Sequence, residues 1–431
     1  MASRICQGSV YMKPAVVMNM FYSGLAIARS LGQHGVPIIG LSSEKRAYGN
    51  YTRFAKVRMC PDSRSAPSEL LEWLLALGAG LGQKSVIFPT RDHDVVFLDR
   101  FREQLAPHFI PVIPNVEALR KSLDKWETFR AAAEAGIDTP WCLVVASEAE
   151  LHRLLPEIRY PCVLKPLAAH YWRSEDNWET VGGRKAIAVA SESELLAEYG
   201  AVAQADGRVL IQEMIPGDDD QFLIAACCMD RNSECAAAFN TQKLVQVPQG
   251  FGTGCVVQTA DYPELIDKTA KLLRHIGFSG IAEVEYKRDS EGRFRLIEIN
   301  PRPWDQHSLG NACGVDLMWT AYADCTGLPR PVVQKRSETY KWIAEDTFFM
   351  YALHLLRRRS PALRPLLRHA SGKRVYAIWS LSDPVPFLVY AVTGIIPRLI
   401  VGTAHAVRSA MRRQHSAGTG GPAYRKGAEH V

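Results

Sequence analysis

The feature that most constrains the fold is a pair of apolar segments between residues 281 and 300, each interrupted by polar side chains at every second position. Alternate residues of an extended strand share a face, which puts Glu283 and Glu285 together on the first segment. Glu298 and Asn300 share a face of the second segment in the same way. The connection Asp-Ser-Glu-Gly is typical of a hairpin turn. We therefore predict an antiparallel hairpin that carries acids on one face.

The negative charge of acids in an apolar strand must be balanced by a nearby partner, because removing an ionised carboxylate from water costs free energy. A hard divalent cation with oxygen ligands provides this balance. Mg²⁺ suits carboxylates and an amide carbonyl, and nucleotide phosphates can complete its octahedral shell. The alternative is an exposed hairpin face whose acids are simply hydrated.

Two lysines stand at element boundaries where they could meet phosphates. Lys165 ends the apolar run Cys-Val-Leu-Lys, and Lys125 precedes a predicted helix. Lysine ammonium groups bind phosphates as point charges. The alternative for each lysine is an ordinary solvated side chain.

A third candidate is the stretch from Gln212 to Asp220, in which an apolar strand ends in Glu213 and a turn with three acids follows. The backbone beside Glu213 could present donors and acceptors to an adenine edge. An acid just past Gly217 could take the ribose hydroxyls. The alternative is an acidic surface turn.

The first part of the chain alternates strand and helix patterns. Apolar runs are typical of strands that are buried on both faces of a parallel sheet. The predicted strands are residues 14–20, 36–41, 85–89 and 110–113. Thr90, Arg91 and Asp92 follow one strand at its carboxyl end, where open parallel sheets place ligands. We predict a small doubly wound domain over residues 1–114.

The middle of the chain mixes both types of element. The pattern over residues 115–136 is helical, and a polar stretch with Gly182 and Gly183 follows the strand that ends in Lys165. Residues 222–229 and 235–240 form a second predicted antiparallel pair.

Together these residues carry a resemblance. In order and approximate spacing, the chain resembles the ATP-grasp superfamily and, within it, the carboxylate–amine ligases that include D-aspartate ligase. The similarity covers roughly residues 14–345. It rests on Lys125, Lys165, Gly182-Gly183, Glu213 to Asp220, Glu285 and Glu298-x-Asn300-Pro301-Arg302, with further similarity at 24–31, 88–92 and 300–304.

The resemblance implies an α/β fold with an α+β grasp part and three subdomains. They are an N-terminal parallel domain over 1–114, a lid at about 140–212 within an ATP-grasp domain over 115–345, and an antiparallel C-terminal subdomain. A basic, partly apolar tail is expected over 346–431, and its Gly-rich residues 416–431 are expected to be disordered.

The resemblance also implies roles for individual residues, with ATP and Mg²⁺ or Mn²⁺ as cofactors. Glu285, Glu298 and Asn300 correspond to metal ligands, and Arg302 and Lys165 to catalytic groups. Nucleotide contacts are implied for Lys125, Lys165, Lys185 on the strand after the flexible loop, Gln212, Glu213, Ile215, and Asp219 or Asp220.

The implied reaction is ATP-dependent ligation. Transfer of the γ-phosphoryl group to a carboxylate gives an acyl phosphate, an amine attacks it, and ADP and phosphate leave. The partners are then small carboxylates and amines. Two departures stand against turnover. The 168–185 stretch is bulky and acidic, and Glu283 replaces an arginine of some relatives. A nucleotide-binding scaffold without turnover and a carboxylation variant therefore stay as alternatives.

Charge and composition limit the remaining classes. Apolar residues make up 47% and charged residues 22%, which excludes a largely disordered or fibrous chain. Ten cysteines without a C-x-x-C pair, and no signal-peptide pattern at the N-terminus, favour a cytoplasmic protein with free thiols.

The basic end of the chain raises a further expectation. Residues 351–431 contain 13 Lys and Arg against 2 Asp and Glu, and residues 385–402 are nearly all apolar. We expect either peripheral attachment to an anionic membrane surface or a purely soluble protein, with a buried core helix or a short membrane span as the alternatives for the apolar run. Nucleic-acid binding is not expected, since no interleaved aromatic motif accompanies the charge.

Overall fold

The computed structural model describes residues 12–172 and 175–397, with the side chains of 175 and 176 left aside. Its N-terminal part is a parallel sheet with strand order β3-β2-β1-β4-β5. The order reverses between β1 and β4, so the carboxyl ends of these two strands form the crevice in which such sheets bind ligands. The strands are β1 Ala15–Met18, β2 Ile38–Ser42, β3 Lys56–Met59, β4 Ser85–Phe88 and β5 Phe109–Pro111. The helices are α1 Tyr22–Gln33, α2 Pro67–Leu81, α3 Asp92–Arg100 and α4 Arg102–Leu105.

Two helices lie within the stretch 115–136 that was predicted to be helical, and they connect this sheet to the next part. They are α5 Val116–Leu123 and α6 Lys125–Glu134. The break falls at Asp124, whose backbone is extended and whose side chain accepts hydrogen bonds from the amides of Trp126 and Glu127. This N-cap starts a new helix and places Lys125 at its first position.

A small antiparallel sheet with strand order β6-β9-β7-β8 follows. The strands are β6 Cys142–Val145, β7 Cys162–Pro166, β8 Ile187–Val189 and β9 Val209–Glu213. The helices are α7 Glu148–Leu154, α8 Ala169–Trp172, α9 Glu175–Thr180 and α10 Glu192–Ala205. The polar stretch after Lys165 is thus partly helical. Lys185 precedes β8 instead of lying on it.

The third sheet has the order β14-β13-β10-β11-β12-β15-β16 and is antiparallel except for the last pair. Its strands are β10 Phe222–Met229, β11 Cys235–Val247, β12 Thr253–Ala260, β13 Gly280–Arg288, β14 Phe294–Asn300, β15 Tyr340–Ile343 and β16 Lys373–Tyr376. Helices α11 Pro263–His275, α12 Ser308–Ala312 and α13 Leu317–Thr326 also belong to this part of the chain. The predicted hairpin is β13–β14, and the predicted α/β class with an antiparallel α+β part is confirmed.

The C-terminal segment, predicted as a basic, partly apolar tail from residue 346, packs against the rest of the fold as far as the structure describes it. Strand β16 pairs with β15, and the buried Ile378 and Tyr390 belong to a core shared with the N-terminal sheet. The segment contains α14 Glu345–Arg357, α15 Leu363–His369 and α16 Val385–Tyr390, and α16 continues as a π-helical turn to Ile395. No helix within the described residues is long and apolar enough to cross a bilayer. The expected disorder at 416–431 lies outside those residues.

Candidate active site

A cavity of about 610 Å³ lies where the three sheets approach one another. It is lined by the carboxyl end of β4, the inner face of the small sheet, the chain after β9, and the hairpin β13–β14. Its charged lining residues are Arg64, Arg91, Asp92, Lys125, Lys165, Lys185, Glu213, Lys243, Glu283, Glu285, Lys287, Glu298, Arg302 and Asp305. Most predicted site residues therefore share one cavity.

The register of the hairpin brings its acids together. Glu285 pairs directly with Glu298, and Glu283 pairs with Asn300. The Asn300 amide nitrogen lies 3.1 Å from a Glu283 oxygen and 3.3 Å from a Glu298 oxygen. Glu283 and Glu285 are 7% and 8% exposed, so hydration does not stabilise their charge. The alternative of a solvated hairpin face is excluded.

Lysines supply the opposing charge. Lys243 Nζ donates to Glu285 at 2.7 Å, and Lys125 Nζ lies 3.5 Å from Glu298. Burial lowers the pKa of Lys243, but Glu285 and the other two hairpin acids outweigh burial and raise it overall. Lys243 is therefore charged at neutral pH.

Lys165 extends from β7 toward the same acids and donates to Gln212 Oε1 at 3.3 Å. Burial lowers its pKa to about 8, against the opposing effect of Glu298, and Lys125 lowers it further. On the other side of the cavity, Lys185 Nζ donates to Thr253 Oγ1 at 3.0 Å and links the small sheet to β12. Three of the predicted cationic residues thus surround the acidic hairpin.

The chain after β9 forms one wall, as predicted for Gln212, Glu213 and Ile215. The Glu213 carboxylate is held at the back of this wall by the Trp141 amide and the Arg295 guanidinium, each about 3 Å away. Lys287 Nζ donates to the carbonyls of Ile215 and Gly217 at 2.8 Å each. Lys287 therefore holds the backbone of this wall in place. The sequence analysis predicted that this backbone contacts the adenine edge.

Asp219 and Asp220 lie elsewhere, in contrast to the ribose contact that we expected. The Asp219 carboxylate accepts hydrogen bonds from the backbone amide of Gln246 at 2.8 Å and from that of Gly250 at 3.2 Å. Asp220 is exposed and bonds Gln221. Neither side chain lines the cavity. Asp219 anchors the loop between β11 and β12, because a buried carboxylate is best satisfied by several backbone donors.

Arg302 connects the hairpin to the N-terminal crevice. Its Nε donates to Asp92 at 2.6 Å, and its Nη2 lies 3.4 Å from the Asn300 amide oxygen. Burial lowers the pKa of Arg302, but Asp92 more than offsets this and keeps the guanidinium charged. Thr90 Oγ1 donates to the Met18 carbonyl at 2.8 Å and ties the ends of β1 and β4 together beneath it.

Two more acids lie at this end of the cavity. Burial and the neighbouring Glu285 raise the pKa of Glu283 to about 8, while Arg302 and Lys243 oppose this. Burial likewise raises the pKa of Asp305, which accepts from Ser23 Oγ at 3.0 Å. His93 also lines the cavity, and burial lowers its pKa. This end therefore contains both cationic and anionic groups.

Sequence reasoning missed Lys243, Lys287 and the glycine-rich loop 250–254, all of which line the cavity. Lys287 follows the mixed strand pattern of the acidic hairpin, which is the one signal that was available, whereas Lys243 follows the polar run 240–242 and carried no such signal. The contact of Lys243 with Glu285 depends on strand order, since the lysine on β11 reaches the acid on β13 across β10.

The residues present fit a metal that is shared with a phosphorylated ligand. Within the described ranges, no three His, Cys, Asp or Glu side chains are arranged to hold an ion alone. Glu285 and Glu298 offer two carboxylates, which is the number that Mg²⁺ takes when phosphates supply further ligands. Asn300 directs its nitrogen toward Glu298, so ligation through Oδ1 requires the reversed amide orientation.

Comparisons with known proteins agree with this geometry. The family model described as ATP-grasp in the biosynthetic pathway with Ter operon matches residues 227–346. The D-alanine–D-alanine ligase of Pseudomonas putida (strain GB-1) is 30% identical over 208 residues, which is 46% of this chain and 61% of that ligase. The human mitochondrial propionyl-CoA carboxylase alpha chain is 24% identical over 61% of this chain and 36% of its own. The chain thus spans about three-fifths of the length of the ligases it matches.

Solved structures share the fold. A Campylobacter jejuni biotin carboxylase in a β-γ-ATP complex superposes with a TM-score of 0.62 at 20% identity, covering 76% of this chain and 74% of that one. An N5-carboxyaminoimidazole ribonucleotide synthetase in an ADP complex gives 0.60 at 16% identity, covering 80% and 85%. At these identities the likeness shows the fold alone. The chain thus has the fold of these structures, and its sequence is similar to the ATP-grasp family model over residues 227–346 and to D-alanine–D-alanine ligases.

Proposed function

We propose that this protein is an ATP-dependent, ADP-forming ligase that joins a small carboxylate to an amine. One observation carries the proposal. A single cavity is lined by the acids Glu285 and Glu298 and by the lysines Lys125, Lys165 and Lys243, with Lys243 donating to Glu285 and Lys125 lying 3.5 Å from Glu298. Such an arrangement suits a triphosphate and its metal, because the lysines can bind phosphate oxygens while the acids bind the metal.

In this proposal the nucleotide lies between the small sheet and the hairpin. Lys125 and Lys165 contact its phosphates, and Lys185 closes over them from the small sheet. The backbone from Gln212 to Ile215 takes the adenine edge. Glu285, Glu298 and Asn300 hold Mg²⁺ or Mn²⁺, which would neutralise charge on the phosphates.

The chemistry then needs two displacements. A carboxylate oxygen of the substrate bonds to the γ-phosphorus while the bond to the ADP oxygen breaks. The amine nitrogen then bonds to the acyl carbon, phosphate leaves with the electrons of the carbon–oxygen bond, and the amine loses a proton. Arg302, fixed by Asp92, is placed to stabilise charge on the acyl phosphate. Closure of the small sheet would exclude water from this reactive mixed anhydride.

ADP release with a panel of small carboxylates and amines tests the proposal. Glu298→Ala removes a carboxylate that the metal requires, and we expect turnover to fall by about 100-fold or more. Glu291→Ala is the matched control, since Glu291 is an exposed acid at the tip of the same hairpin. Full activity of Glu298→Ala would refute the metal assignment.

A scaffold that binds nucleotide without turnover is the competing function. It is favoured by Glu283, which adds a third acid where some relatives carry an arginine. Calorimetry with ADP and Mg²⁺ separates the two. Tight binding with no ADP release for any substrate pair would support the scaffold.

A further inference from the structure

Helix α16 and its continuation to residue 397 are firmly attached to the N-terminal domain. Asp383, just before the helix, is 1% exposed and accepts hydrogen bonds from Arg29 Nε at 3.0 Å and Thr52 Oγ1 at 2.6 Å. The Tyr390 ring packs edge-on against Tyr48 with centroids 6.1 Å apart. The inner side of the helix is therefore fixed, and its opposite side has a defined direction.

That opposite side is apolar and exposed. Val385, Leu388, Val392 and Ile396 follow one another at spacings of three and four residues, so they share one side of the helix, which we term the outer face. Their exposed fractions are 46%, 55%, 63% and 48%. Residues 384–397 contain no charged side chain. A surface helix normally has a polar outer side, because water there solvates charged groups at no cost.

The positive charge of the C-terminal segment indicates what kind of partner the outer face binds. The exposed arginines of α14, α15 and the turn between them form no ion pair with any carboxylate in the described part of the chain; they are Arg357, Arg358, Arg359, Arg364 and Arg368. Leu356 and Leu367 stand among them and are 59% and 52% exposed. From residue 384 to the end, the sequence has six Lys and Arg against one acid. An apolar face in a segment of the sequence that is rich in unpaired positive charge fits a partner that is apolar inside and anionic at its surface.

We propose that the outer face docks onto the surface of a lipid bilayer that contains anionic lipids. Positive charge draws the protein to the headgroups over about a Debye length. The apolar side chains of the outer face then enter the boundary between headgroups and acyl chains, with the helix lying in the plane of the membrane. This inference goes beyond the ligase proposal, since binding requires neither nucleotide nor turnover.

Vesicle co-sedimentation of the full-length chain tests the proposal. Vesicles of phosphatidylcholine alone are compared with vesicles that also contain phosphatidylglycerol, at low and high salt. We expect binding only to the anionic vesicles, and weaker binding at high salt. The double variant Leu388→Glu/Val392→Glu should bind at least about tenfold more weakly, because two charges must enter the apolar boundary.

Val332→Glu is the matched control, since Val332 is 83% exposed and lies in another part of the chain. It should bind like the unmodified protein, and all variants should unfold at similar temperatures because the altered sites face solvent. Equal binding of the double variant, or no binding of the unmodified chain, would overturn the proposal. Light scattering without vesicles tests the alternative that a second copy of the chain binds the outer face. A dimer that the double variant disrupts, with no vesicle binding, would assign the outer face to a second copy instead.

Discussion

The protonation of Lys165 gives the sharpest test of the proposed nucleotide site. Burial lowers the pKa of its ammonium group to about 8, although Glu298 opposes this. An amine with this pKa is about nine-tenths charged at pH 7 and about one-tenth charged at pH 9. If phosphates bind only the charged form, the Kd for nucleotide rises by about tenfold over this interval, or about 1.4 kcal/mol.

The direction follows from linkage. The free protein loses the Lys165 proton as pH rises through about 8, whereas a bound phosphate favours the charged form. Binding above that pH must therefore include uptake of a proton, and affinity falls. Isothermal titration calorimetry with ADP and Mg²⁺ at both pH values, in buffers of different ionisation enthalpy, measures the Kd and the proton uptake together.

Two variants isolate the contribution of Lys165 from that of Glu283, whose pKa is also about 8. Lys165→Arg keeps a positive charge at both pH values, so only the smaller dependence due to Glu283 should remain. Lys165→Met should bind weakly at pH 7 and show the same residual dependence as the arginine variant. A pH-independent Kd in the unmodified protein, or an unchanged tenfold rise in Lys165→Arg, would refute the reasoning.

Two further predictions concern buried carboxylates that anchor segments of the fold, one in the C-terminal segment and one beside the candidate site. Asp383→Ala leaves the nearly buried Arg29 without its partner, and we expect a loss of about 3–5 kcal/mol in local stability, read as faster hydrogen exchange over residues 384–397. The double replacement of Arg29 and Asp383 by leucine should cost less than the single change, and the opposite order would contradict a buried pair. Asp219→Asn removes the charge that holds the backbone of the β11–β12 loop, so we expect the Kd for ADP to rise several-fold. Asp220→Asn is its exposed control, and equal effects of the two changes would show that the anchor at Asp219 has no role in binding.

The hairpin shows how much local sequence can determine. A strand has a side-chain period of two, so the positions of Glu283, Glu285, Glu298 and Asn300 alone predicted which of them share a face. The shared faces need only short-range geometry, which is why they could be predicted. The pairing of Glu285 with Glu298 could not, because the register shifts by one residue between Glu285 and Tyr286; continued from the turn without this shift, Ile297 would lie opposite Glu285.

The sequence analysis failed where the partner of a side chain is a residue distant in the sequence. The acids at 218–220 looked like a ribose contact, but the Asp219 carboxylate is taken by the amide of Gln246, 27 residues away. Lys243 went unnoticed because its proximity to Glu285 depends on β11 lying next to β10, and β10 next to β13. Nothing in the local pattern encodes that order.

The C-terminal segment shows the same division. Its charge and apolar content were plain from the sequence and predicted a basic, partly apolar tail. The tertiary structure pairs β16 with β15 and buries Asp383 against Arg29, 354 residues earlier in the chain. The sequence by itself determined which side chains share a face of a strand or helix and which carry a charge that needs a partner, because periodicity and chemistry are local. Only the fold decided which distant partner satisfies each of them, because that choice depends on the packing of all the elements at once.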